Sequence, residues 1–116
     1  MLVETRAISF PLTDAIERHV EARLASALGP FSRWVLKATV RLDDINADHG
    51  GVDKRCGIVV ALRQHGVQVA GAIDTDLYRA IDEASSRIRR SVARKVKRHL
   101  SRGRKDPQRP GALVAL

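Results

Sequence analysis

The sequence predicts an α+β fold: a two-layer sandwich of order β-α-β-β-β-α, in which a four-stranded sheet carries two helices on one face. Three observations predict it. Between residues 33 and 73, apolar side chains recur at every second position in successive runs, the pattern of half-buried strands. On either side lies a longer run with apolar residues at steps of three and four, the period of an amphipathic helix. A short β-favouring segment precedes the first of these helices. At 116 residues the chain is one domain by size, long enough to bury a core without disulfides or metal.

Val3, Thr5 and Ile8 favour a first strand over residues 2–9. Thr13 is placed as an N-cap with Asp14 behind it, and Leu12, Ile16, Val20, Leu24 and Leu28 form the stripe of the first helix, which Gly29 and Pro30 stop. The period then changes to two. Trp34, Leu36, Ala38, Val40 and Leu42 are expected on one face of a second strand, with Arg33, Lys37, Thr39 and Arg41 mainly on the other. A polar loop follows over residues 43–53, with Gly50 and Gly51 near its tip. Cys56, Ile58, Val60 and Leu62 point inward from a third strand, and His65-Gly66 turns the chain into a fourth over residues 67–73. Asp74, Thr75 or Asp76 can cap a long helix to residue 100, whose stripe is Leu77, Ile81, Ala84, Ile88, Val92, Val96 and Leu100. Residues 1–100 are thus the folded domain. The basic, Pro/Gly-rich segment 101–116 is expected to be a flexible tail.

Charge distribution narrows the function. Residues 1–74 hold nine Lys/Arg and nine Asp/Glu, whereas residues 75–116 hold twelve against four, so the whole net charge of +8 sits on the last helix and its tail. Arg79, Arg87, Arg90, Arg94, Lys97 and Arg98 fall opposite the apolar stripe at about 100° per residue, with only Glu83 among them as counter-charge. Arg90, Arg94 and Arg98 stand at i, i+4 spacing and repel one another by a few tenths of a kcal/mol per pair. Such a face calls for a polyanionic partner. With Phe10, Phe31, Trp34 and Tyr78 as the only aromatics, a base-stacking reader of single strands is disfavoured, and recognition of RNA shape through phosphates is expected instead.

Other chemistries find little support. Cys56 is the single cysteine and sits on the apolar side of a strand, as a small core residue in a reducing cytoplasm would. His19, His49, His65 and His99 lie on separate elements without ligand spacing, and Asp76 and Asp82 face different ways on one helix, so no metal, cofactor, small-molecule substrate or catalytic pair is expected. Asp44-x-Asn46-x-Asp48 opens like a calcium loop, but His49 stands where glycine is needed and Arg55 where glutamate is needed. The N-terminus has no secretory pattern and no apolar run is long enough to span a bilayer. A membrane-surface role would require Trp/Phe anchors that the stripe lacks.

The run Asp76-Leu77-Tyr78-Arg79-Ala80-Ile81-Asp82, followed by Arg87-Ile88, Arg90, Val92 and Arg94, resembles the ribosome hibernation promoting factor family, which includes the ribosome-associated translation inhibitors and was formerly called sigma-54 modulation protein. Thr13, Ile16, Val20, Arg23 and Leu24 are similar to its first-helix pattern. The resemblance implies a cytoplasmic protein that binds the small ribosomal subunit and its RNA over the paths of messenger RNA and tRNA; its oligomeric state is left open, with a monomer expected on the ribosome. It implies RNA-binding roles for Arg87, Arg90 and Arg94 on the second helix and Arg23 on the first; Arg79, Lys97 and Arg98 are added from the helical wheel. No second domain of the kind that pairs ribosomes is seen, so the resemblance is to the short form, and the ending Ala112-Leu113-Val114-Ala115-Leu116 has no counterpart in it. The alternatives are a general double-stranded RNA-binding module, or a regulatory protein-interaction domain whose basic face meets an acidic protein.

Overall fold

The computed structural model describes residues 1–45 and 53–104. The elements are β1 (Leu2–Ile8), α1 (Asp14–Leu28), a 3-10 turn (Gly29–Phe31), β2 (Val35–Asp44), β3 (Lys54–Leu62), β4 (Gly66–Asp74) and α2 (Leu77–Arg104). They form the four-stranded α+β sandwich that the hydrophobic periods predict.

Thr13 starts α1 as a cap: its Oγ1 accepts from the Ile16 N–H at 3.2 Å, satisfying one of the free donors of the first turn. The helix carries the chain from β1 back to a parallel pairing with β2, Leu2 opposite Lys37 and Ile8 opposite Asp43. β2, β3 and β4 then pair antiparallel in sequence order. In the β3–β4 turn, Gln64 and Gly66 both take positive φ, 62° and 73°, and Leu62 pairs with Gly66. Of the three candidate caps, Asp76 caps α2 through an N–H···Oδ1 bond from Tyr78 at 2.9 Å, and the helix proper begins at Leu77.

One core joins both helices to one face of the sheet. Val20, Leu24 and Leu28 of α1, Val40, Ile58 and Val60 of the sheet, and Ile81, Ile88 and Val92 of α2 are all nearly inaccessible. Each such branched side chain contributes about 1.5–3 kcal/mol on burial. Val59, Val67, Val69 and Ile73 lie on the opposite, open face of the sheet.

Three expected inward residues are wholly or partly displaced. The pairing of β2 with β3 shifts register between Val35 and Lys37, so Val35 is buried and Leu36 exposed, while Trp34 is half-buried with Arg33 over its ring at 5.2 Å. An extra residue in one strand inverts the inside–outside alternation on its far side. On α2 the buried stripe ends at Val96, because Leu100 lies past the sheet and is exposed. The helix itself runs on to Arg104.

At the neck of the β2–β3 loop, Lys54 Nζ donates to Asp53 Oδ1 at 3.0 Å and reaches Asp44 Oδ2 at 3.1 Å. The Asp44 carboxylate is therefore engaged by a lysine. Asn46, Asp48, His49 and the Gly50-Gly51 tip lie outside the described residues, as do residues 105–116 of the basic tail. Among the described residues no group of three or more His, Cys, Asp or Glu could hold a metal ion, and no helix is long and apolar enough to cross a membrane.

Candidate nucleic-acid interface

The apolar stripe of α2 is pinned against the sheet, which fixes where its remaining side chains go. Ser91 Oγ donates to Gln68 Oε1 of β4 at 2.6 Å on one flank, and Asp82 meets α1 on the other. Arg79, Arg90 and Lys97 fall on the outward face between these flanks, all exposed. Arg94 and Arg98 turn toward the β4 side and are exposed as well. These five cations have no hydrogen bond or ion pair among the described residues. Arg79 lies near enough to the Asp74 carboxylate to help lower its pKa, the larger cause being the N–H of Asp76.

The other two predicted residues are held. Arg87 Nη1 donates to the Gly71 carbonyl at 2.6 Å, and its Nη2 pairs with Glu83 at 2.8 Å one turn earlier. This arginine straps α2 to β4 and offers less of its fork to a ligand. Arg23 reaches across from α1, its Nε at 3.1 Å from Asp82 Oδ1; His19 Nε2 donates to the same oxygen at 2.7 Å and packs edge-on against Tyr78 at 4.8 Å between ring centroids. Asp82 thus ties the two helices together by two non-local contacts. An Asp beside a basic face reads from sequence as surface charge, and only the fold reveals its partners.

Sequence reasoning passed over two further cations. Arg89 lies on the α1 side of α2, where it faces a recess shared with Arg23, Ser26, Ala27, Ser85 and Ser86. Lys95 and Arg98 line a second recess at the other end of α2 with Gln64, His65 and His99, the two histidine rings 4.3 Å apart. A wheel divided into a buried and an exposed half could not show that α2 has flanks against neighbours of its own. The chemistry available is ionic and hydrogen-bonding: rigidly mounted guanidinium forks suited to phosphate oxygens.

A family model described as "Sigma 54 modulation protein / S30EA ribosomal protein" matches residues 3–100. No curated protein matches the chain. Among solved structures, the N-terminal domain of Thermus thermophilus Protein Y is similar at 32% identity and a TM-score of 0.68, over 81% of this chain and 98% of that one. A ribosomal subunit interface protein from Coxiella burnetii is similar at 15% identity and a TM-score of 0.72, over 84% of this chain and 99% of that one, a likeness of fold.

Proposed function

Because the chain belongs to the sigma-54 modulation protein / S30EA ribosomal protein family, we propose that it is a ribosome-associated translation inhibitor and hibernation factor that works in the cytoplasm. It binds the small ribosomal subunit through the basic face of α2 and inhibits translation by occupying the path of messenger RNA and tRNA. The observation that carries this reading is the set of Arg79, Arg90, Arg94, Lys97 and Arg98, five cations on one rigid helix that make no hydrogen bond or ion pair among the described residues. Arg87 and Arg23, each held by a carboxylate, flank that set and add charge at its edges.

Phosphates paired with these cations release condensed counterions, and positions fixed along a helix select a backbone arrangement rather than a base sequence. The large neutral remainder of the molecule then covers the site. No bond is made or broken, and inhibition follows from occupancy.

Co-sedimentation with separated ribosomal subunits tests the reading. The wild-type protein is expected to pellet with small subunits and not with large ones, and a variant carrying Arg90→Glu and Arg94→Glu, folded by circular dichroism, is expected to stay in solution. With about six phosphates contacted, affinity should fall roughly a thousandfold between 50 and 200 mM salt. Equal binding to both subunits and to naked duplex RNA would reduce the protein to a general RNA-binding module, and binding insensitive to the two reversals would move the site elsewhere.

A further inference from the structure

The recess between α1 and α2 is built from hydrogen-bond donors. It is an open recess of about 280 Å³, with Arg23, Ser26 and Ala27 on the α1 wall and Ser85, Ser86 and Arg89 on the α2 wall. Arg23 spends its Nε on Asp82, which leaves both terminal amino groups of its fork available, and Asp82 holds the side chain against the helix pair. Arg89, Ser26 and Ser86 have no partner among the described residues. Beneath them Ser85 is 1% exposed, and its hydroxyl has no hydrogen-bond partner. A buried hydroxyl without a partner costs free energy that a hydrophobic residue of similar size would not, so it calls for an explanation.

We infer that this recess is a seat for one phosphate group, gripped by the guanidinium forks of Arg23 and Arg89 and by the hydroxyls of Ser26 and Ser86, with the Ser85 hydroxyl satisfied when the seat is filled. Ser85 is one of the residues lining the recess, so a ligand seated there meets its side chain. Two forks and three hydroxyls match the several acceptor oxygens of a phosphate, no acidic residue lines the recess, and Asp82, which holds Arg23, is already engaged by His19 and Arg23. Ser86 and Arg89 adjoin Arg90 of the outward face, so an RNA backbone lying across that face passes the mouth of the recess. The assignment of RNA as the source of the phosphate rests on the proposed function; a phosphate-bearing small molecule is the other source.

Three proteins test it: wild type, Arg89→Gln and Ser85→Ala. Each is unfolded thermally in sodium phosphate and in sodium chloride of matched ionic strength, and each is titrated with small ribosomal subunits between 50 and 200 mM salt. Phosphate should raise the wild-type Tm above its chloride value, and R89Q should lose the increment. S85A should be more stable than wild type in chloride, having shed an unsatisfied hydroxyl, yet gain less from phosphate. A serine with a merely structural role would not give this opposition of signs. R89Q should bind small subunits roughly tenfold more weakly, with a salt slope shallower by about one. Wild-type binding to small subunits with neither affinity nor phosphate increment changed in the variants overturns the seat and leaves the proposed function standing. An Arg89-dependent phosphate increment without any binding to small subunits supports the seat, overturns RNA as its occupant and removes the proposed function.

Discussion

Asp74 shows how a single carboxylate links the sheet to the basic helix. Its Oδ1 accepts from the Asp76 N–H at 2.9 Å and from the Thr75 hydroxyl at 3.3 Å, fixing the bend from which α2 departs. The Asp76 N–H holds the Asp74 carboxyl below its ordinary value, and the hydrogen bond from Lys37 does the same for Glu4 at the β1–β2 edge. A carboxylate whose folded pKa is depressed stabilises the fold above its unfolded pKa, about 3.9 for Asp and 4.3 for Glu, and that stability is lost as pH falls through the folded value. The Tm is therefore expected to decline below about pH 5. Asp74→Asn keeps an acceptor oxygen but cannot titrate, so it should lower the Tm at neutral pH and flatten the acid limb. An acid limb as steep as that of the wild type would show that Asp74 contributes nothing to it. Cys56 differs in kind: burial pushes its thiol up to about 12, which leaves it a small apolar residue at neutral pH.

At the scale of elements, α2 has an inner side that stabilises the fold and an outer side that is the proposed binding face. Ile88 is 0% exposed whereas Leu100, three turns on in the same stripe, is 44% exposed. Ile88→Ala should cost about 2–5 kcal/mol by chemical denaturation, and Leu100→Ala less than about 0.5 kcal/mol. Comparable losses at both positions would mean that the helix end packs against something else. The stripe was legible in the sequence because a period of 3.6 depends only on local spacing, and the three meander strands were legible for the same reason. The turn of β2 was not, since Val35 and Leu36 exchange roles through a bulge that depends on pairing with β3. Nor were the contacts that make the α1–α2 recess. His19 and Asp82 stand 63 residues apart, and nothing local marks Asp82 as the tie between helices or Arg89 as part of the recess wall.

At the scale of the whole molecule, the protein keeps a neutral sheet half and concentrates its net charge of +8 on one helix and the segment after it. The charge that suits α2 to a polyanion is a burden on the free fold, because like charges at i, i+4 spacing repel and Glu83 offsets one of them. Salt therefore acts on the two states with opposite signs. Raising ionic strength from about 0.01 to 1 M shortens the Debye length from about 30 to 3 Å, below the separation of neighbouring arginines on a helix. In the free protein this screens repulsion along α2, and the Tm should rise with sodium chloride. In the proposed complex with the small subunit the same ions would compete with the arginines for phosphate, and affinity should fall. Thermal unfolding and subunit binding measured over one salt series should thus diverge, and Arg90→Glu with Arg94→Glu should reduce both slopes by removing repulsion and phosphate contacts together. A Tm that falls with salt as binding falls would mean that ion pairs such as Lys54 with Asp53 and Arg23 with Asp82 outweigh the repulsion along α2. The basic face would then carry no cost in the free protein, and its charge density would need no partner to offset it.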